Sequence, residues 1–296
     1  MQNIIPYGKA ICYSGYRRGQ CPKGEAPSYE QIKEDLLLLS RESFRYLRMY
    51  DPNLHARRVL QAIAELHLDM KCIIGIDSDP EVNNPQCPFE VQRYSEQELE
   101  AHRKRNDLEL QELIRLARDF PDGILALSVG NENTPPWGAH MVSQERLLQK
   151  VALLKESLTV PVTFCEGVME WPALPRLAQA VDFISVHSYP YHYGTPLSQA
   201  VAQNREHYQS ICRLYPEKQV IFTELGWSSC ASSEPYLARA GLAEEKQYIE
   251  SVQDWLEKDR ITGFLFEAFD EPWKGRSPED SECNFGLYTV DRVRKW

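Results

Sequence analysis

The chain has 296 residues, 43% apolar and 26% charged, which is the composition of an ordinary globular protein with one large domain or two small ones. Its formal charge of −10 argues against a nucleic-acid partner and against an anionic polymer as substrate. No apolar run is long enough to span a bilayer. The first twenty residues lack the basic start, apolar middle and small-residue cleavage site of a signal peptide. The expectation is therefore a cytoplasmic chain, or a mature periplasmic or secreted one whose leader has been removed.

In chain order, Lys9–Tyr13 reads as a short strand, followed by a Gly- and Pro-rich loop. Ser28 and Gln31 form a capping-box pattern that opens a helix with Ile32, Leu36 and Leu39 on one face. Arg45–Tyr50 is the second strand, and Val59, Ile63 and Leu66 mark the helix after it. Met70–Ile76 is the third strand. A loop rich in Pro, Asn and Asp runs from Asp77 to Tyr94. Ser95 and Glu98 cap a long helix that buries Leu110, Leu113, Ile114 and Ala117, with a charged outer face read as solvated surface.

Leu125–Val129 is the fourth strand, apolar throughout as in a strand buried on both faces. Gly130 then turns the backbone and presents Asn131 and Glu132. A helix with Leu147, Val151 and Leu154 follows, then Pro161–Cys165 as strand five. A short helix near Leu174–Ala178 precedes strand six, Val181–His187. Leu197, Ala200, Val201, Tyr208 and Ile211 form the next helix, and Gln219–Thr223 is strand seven. Tyr248, Val252 and Trp255 mark the following helix, and Phe264–Phe269 is strand eight.

Eight strands alternating with helices, without a break in composition, imply parallel strands joined by crossover helices. The fold class expected is α/β, a single-domain (β/α)8 TIM barrel over 1–296, with its site at the C-terminal ends of the strands. An open doubly wound sheet is the alternative, but GYRRGQ after strand one lacks the GxGxxG spacing such a sheet would normally carry.

The strand ends supply the candidate site. Strand one ends at Tyr13, strand two at Arg48, Tyr50 and Asp51, and strand four at Asn131 and Glu132. Strand six ends at His187, Tyr189, Tyr191 and Tyr193, and strand seven at Glu224, followed by Trp227. Strand eight ends at Asp270, Glu271, Trp273 and Lys274. Two glutamates facing each other across one barrel are the minimum equipment for glycoside hydrolysis. The aromatic side chains suit a sugar, whose CH faces pack on rings. Trp255 reads as core, while Trp137 and Trp171 suit either packing or a sugar platform. His187 suits either a structural hydrogen bond or the site, and Glu271 with Lys274 either a surface ion pair or the site. The eight cysteines lack metal-ligand spacing and read as free thiols. Cys21, Cys87, Cys230 and Cys283 lie in loops that could host a disulfide.

GNE at Gly130–Glu132, TELGW at Thr223–Trp227 and FEAFDEPWK at Phe266–Lys274, in this order, resemble glycoside hydrolase family 17, the β-1,3-glucanase family. ICYSGYR from Ile11, RMYD from Arg48 and HSYPY from His187 are similar to its bacterial branch. The resemblance implies a retaining mechanism with Glu132 as acid/base and Glu224 as nucleophile, and makes Glu271 and Lys274 an accessory charged pair. Phe285 departs from the Trp the family often carries there. Loop Asp77–Tyr94 and segment Ser228–Leu242 look specific to this chain. The reading is a β-1,3-glucan hydrolase without metal or organic cofactor, acting as a monomer. Two alternatives stand beside it: a glucanosyltransferase using the same glutamates, and a non-catalytic glucan-binding barrel.

Overall fold

A computed structural model describes residues 3–88, 93–230 and 237–296. Eight strands close a parallel barrel in sequence order: β1 Ala10–Cys12, β2 Tyr46–Met49, β3 Lys71–Ile74, β4 Ile124–Asn131, β5 Val162–Gly167, β6 Ile184–Ser188, β7 Val220–Gly226 and β8 Gly263–Phe266. Closure is direct, with Ala10 pairing with Tyr46 on β2 and with Phe264 on β8. This is the expected (β/α)8 architecture, and it forms one domain.

Seven α-helices lie among the described residues: α1 Tyr29–Arg41, α2 Leu54–Glu65, α3 Glu96–Asp119, α4 Gln144–Ser157, α5 Pro175–Ala180, α6 Leu197–Leu214 and α7 Leu242–Asp259. Both capping boxes form. Ser28 accepts from the Gln31 N–H while Gln31 accepts from the Ser28 N–H, and Ser95 and Glu98 repeat the pattern. Each box satisfies two donors that the first helical turn leaves without a partner. None of the described helices is long and apolar enough to cross a membrane. All eight cysteines are free, including the four loop cysteines.

The strand limits differ from the expected ones where chemistry matters. β4 continues through Gly130 to Asn131, and the backbone turns one residue later, at Glu132 with φ +48°. Gly130 is needed for space instead. A Cβ there would lie 2.1 Å from the Asn133 Oδ1, which folds back under the strand to accept the Asn131 N–H at 2.9 Å. β5 runs two residues further than expected and so carries Glu166, while β7 extends through Glu224 to Gly226. β8 stops at Phe266, and the residue that ends it is Glu267, not Asp270.

The C-terminal segment straps the seam between β8 and β1. Leu287 and Tyr288 donate to the backbone of Glu267 and Ala268, and Ala268 donates to Cys12 on β1. Arg292 clamps the fully buried Asp35 of α1 at 2.7 and 2.8 Å and also holds the Gly15 carbonyl at 2.7 Å. Asp35 meets a second guanidinium, Arg17, at 2.8 Å. Lys295 holds Asp270 at 2.8 Å, so Asp270 belongs to this strap. Arg292→Ala is expected to destabilise the protein by roughly 1–3 kcal/mol, because Asp35 keeps only one of its two cations. Urea unfolding at neutral pH measures this, and an unchanged midpoint would show that the strap carries no load.

Candidate active site

Arg48 forms the floor of the barrel mouth. It is the third residue of β2, and its side chain is buried beneath the ends of β4 and β7. One arm of the guanidinium donates to Glu224 Oε1 and, at 3.3 Å, to the Thr223 carbonyl. The other arm donates to Asn131 Oδ1. Tyr50 donates to Glu224 Oε1 at 3.0 Å, and Tyr189 donates to Glu224 Oε2 at 2.5 Å. Glu224 therefore sits among donors on both of its oxygens.

His187, on β6, lies between the two glutamates. Its Nδ1 is 2.7 Å from Glu132 Oε1 and 3.6 Å from Glu224 Oε2. His187 thus bridges the two glutamates. Burial alone would raise the Glu224 carboxyl, but the charges of His187 and Arg48 and the hydrogen bonds from Tyr189 and Arg48 outweigh it and bring it down to about 2. For His187, burial opposes the charged form. Glu224, together with hydrogen bonds to Cys165 and Glu132, overcomes that and raises it to about 10.

The two glutamates differ in access. The Glu224 side chain is 8% exposed and the Glu132 side chain 29%. Glu132, His187 and Glu224 each offer an atom within 4.8 Å of the others. That spacing could enclose a cation, but the donor set does not suit one. Arg48 already faces Glu224, and an imidazole held protonated has no lone pair to offer.

Several other expected site residues take different places. Tyr13 is 1% exposed, with its hydroxyl on Asp35 at 3.2 Å and its ring against Phe269, so it is core. Tyr191 and Trp227 are fully buried, packed on each other at 5.5 Å, and Trp227 donates to the Arg239 carbonyl. These three cannot touch a sugar. Phe285 packs against Tyr191 at 5.6 Å and Tyr189 at 6.0 Å, and Trp227 lies between Tyr191 and Tyr248. Trp171 is likewise core, donating to the Ser185 carbonyl at 2.9 Å. Trp273, Tyr193 and Trp137 remain exposed on loops at the C-terminal ends of strands.

Glu271 and Lys274 are no surface pair. Glu271 is 2% exposed and meets the Lys274 ammonium at 2.6 Å. The same ammonium donates to both oxygens of Glu267, at 3.0 and 2.9 Å. Burial, then the neighbouring Glu271, pushes the Glu267 carboxyl well above the usual carboxylate range. Glu267 escaped the sequence reading although it stands inside FEAFDEPWK. The signal was an acid within an apolar strand run. Tyr16, 5% exposed, meets Trp273 edge-on at 5.9 Å and lies tilted against His55 at 5.6 Å.

A closed (β/α)8 barrel that brings two glutamates together at the ends of β4 and β7 defines a glycoside hydrolase. The BtgE/BtgC glycoside hydrolase domain model matches residues 10–286, and the chain belongs to that family. It is 26% identical over 294 residues to the probable glucan endo-1,3-β-glucosidase btgC of Aspergillus fumigatus, covering 91% of this chain. The Aspergillus clavatus protein of the same name is 25% identical over 296 residues. The chain spans 39% of the length of each of these relatives. Among solved structures it is similar to an endo-laminarinase from Formosa Hel1_33_131, with a TM-score of 0.82 and 25% identity, covering 98% of this chain and 85% of that one. A family 17 β-1,3-glucanosyltransferase from Rhizomucor miehei shares the fold, with a TM-score of 0.77 and 20% identity over 97% of this chain and 95% of that one.

His187→Gln removes the positive charge facing Glu224 and so raises the Glu224 carboxyl. The acid limb of kcat/KM, which reports the free enzyme, is expected to move to higher pH by roughly one to three pH units. A pH–rate profile with the limb unmoved would mean that His187 does not set the charge of Glu224.

Proposed function

We propose that the chain is a retaining glycosidase that cleaves β-1,3-linked glucan by double displacement. The observation that carries this reading is the unequal pair. Glu224 is buried and held ionised by Arg48, Tyr50 and Tyr189. Glu132 is more accessible and lies within 4.8 Å of it. Retaining enzymes place their carboxyl groups roughly 5–5.5 Å apart, whereas inverting ones need about 6.5–9.5 Å to admit a water.

In the first step Glu224 attacks the anomeric carbon while Glu132 gives its proton to the glycosidic oxygen. The C–O bond breaks, the aglycone leaves as an alcohol, and a glycosyl ester remains on Glu224. In the second step Glu132, now a carboxylate, takes a proton from water. The hydroxide adds to the anomeric carbon, and Glu224 leaves as the free carboxylate. Arg48 holds the Asn131 Oδ1, which turns the amide NH2 toward the mouth as a donor for the sugar 2-OH. Such a contact strengthens in the oxocarbenium-like transition state.

The substrate class rests on the relatives' names and on chemistry. An acidic chain whose barrel mouth carries the exposed rings of Trp273 and Tyr193 and the half-buried ring of Tyr189 suits a neutral sugar polymer. The wrong linkage leaves hydroxyls unpaired, at a cost of about 1–3 kcal/mol each.

Incubation with laminaripentaose and cellopentaose, followed over time by mass spectrometry, tests the linkage. Cleavage of the first is expected, with the second left intact; comparable rates on both would overturn the assignment. Products longer than five sugars would identify a sugar acceptor in place of water. Glu224→Ala is expected to lose turnover by on the order of a millionfold and to lower the melting temperature, because Arg48 and His187 are left facing no carboxylate in a buried site. Azide should restore turnover on an activated donor as the α-glycosyl azide. Wild-type activity in Glu224→Ala would exclude it as nucleophile.

A further inference from the structure

Glu166 lies within β5, beside the site but out of reach of any substrate, since it is fully buried. Its Oε2 accepts from the Thr134 N–H at 3.1 Å and from the Thr134 hydroxyl at 2.8 Å. Its Oε1 accepts from the Gly167 N–H at 2.7 Å. This is a costly place for an acid. Burial, then the charge of Glu132, pushes its carboxyl up to about 8 against those donors. The barrel does not require it, because β5 is already paired with β4 and β6 through its backbone.

What Glu166 grips is the turn that presents Glu132. With φ at +48°, Glu132 occupies the left-handed region, which a residue with a Cβ seldom adopts unless its surroundings hold it there. The grip comes from both sides of the residue. The Cys165 carbonyl accepts the Glu132 N–H at 2.9 Å, and the next side chain along β5, Glu166, takes both donors of Thr134. Asn133 closes the turn from within, accepting from Asn131 N–H and donating to the His140 carbonyl at 2.8 Å.

We propose that Glu166 is a positioning residue for proton donation: through Thr134 it fixes the turn at Glu132, so that the Glu132 carboxyl is held beside His187 and opposite Glu224. The proposal rests on the reading of Glu132 as the acid.

The test compares kcat/KM, which reports glycosylation alone, on two donors. Laminaripentaose has a sugar leaving group that needs a proton. A 2,4-dinitrophenyl β-laminaribioside has one that departs without it. Glu132→Ala is expected to lose roughly 10²–10⁴-fold on the first and far less on the second. Glu166→Ala is expected to show the same selectivity, with at least about a tenfold loss on laminaripentaose. Glu166→Gln should recover most of that loss, since the amide oxygen can still accept from Thr134. Thr134→Val, which keeps the side-chain shape and the N–H but not the hydroxyl, should lose selectively to a smaller extent; it and Glu166→Gln decide the matter if Glu166→Ala does not fold. Equal losses on both donors in the Glu166 and Thr134 variants, or none on either, beside a selective Glu132→Ala, would overturn the positioning role alone. Equal losses in Glu132→Ala itself would overturn the acid assignment, and the positioning role with it.

Discussion

The buried contact between Arg48 and Glu224 is the constraint on which the site depends. A carboxylate taken out of water is stable only when paired and fully hydrogen-bonded. Here the guanidinium reaches up from β2 and the two tyrosine hydroxyls close from Tyr50 and Tyr189. The charge on Glu224 is thus maintained by three side chains from two strand ends, those of β2 and β6, and it does not rely on solvent. The same guanidinium orients Asn131 on β4. One residue therefore registers β7 against β4. Only a closed barrel, with β2, β4 and β7 converging on one mouth, can present such a group to both.

Two carboxyl groups this close can take different roles only if their surroundings differ. His187 separates them, its imidazolium within reach of both. On the Glu132 side the control is exerted on the backbone: the left-handed residue, the folded-back Asn133 and the absent Cβ of Gly130 shape one tight turn. Glu224 is held by its side-chain oxygens, and Glu132 by the chain that carries it. A second cluster, in which Glu267 and Glu271 share Lys274, stands at the end of β8 and keeps two further buried acids from adding unpaired charge to the mouth.

The architecture was legible because its signals are local. Alternation of apolar runs and amphipathic stretches counts eight strands, and the capping boxes at Ser28 and Ser95 fix two helix starts within a residue. The glutamates were legible because each follows an apolar run and falls within a motif shared with family 17. The strand ends were not. Polar residues such as Glu166 and Glu224 interrupt the apolar pattern while the ladder of backbone hydrogen bonds continues past them. Ring orientation was also hidden. Tyr13 turns toward Asp35 on α1, and Tyr191 and Trp227 lie in the shell that Phe285 completes from the far end of the chain. Position after a strand cannot reveal which neighbour a side chain meets. Glu166 was missed for the same reason, since Thr134 comes from another segment, whereas Glu267 and its partner Lys274 stand in one motif and Glu267 passed as a lone acid in an apolar run.

The central claim is that Glu224 becomes covalently bonded to the sugar. A 2-deoxy-2-fluoro-laminaribiosyl donor with a dinitrophenyl leaving group slows both steps while the good leaving group keeps the first accessible, so the ester accumulates. Intact-mass and peptide-mapping mass spectrometry of the inactivated protein should find one fluorinated disaccharide, on the peptide containing Thr223 to Trp227, attached at Glu224. A label on Glu132 or Glu271, or inactivation without any covalent adduct, would contradict the account.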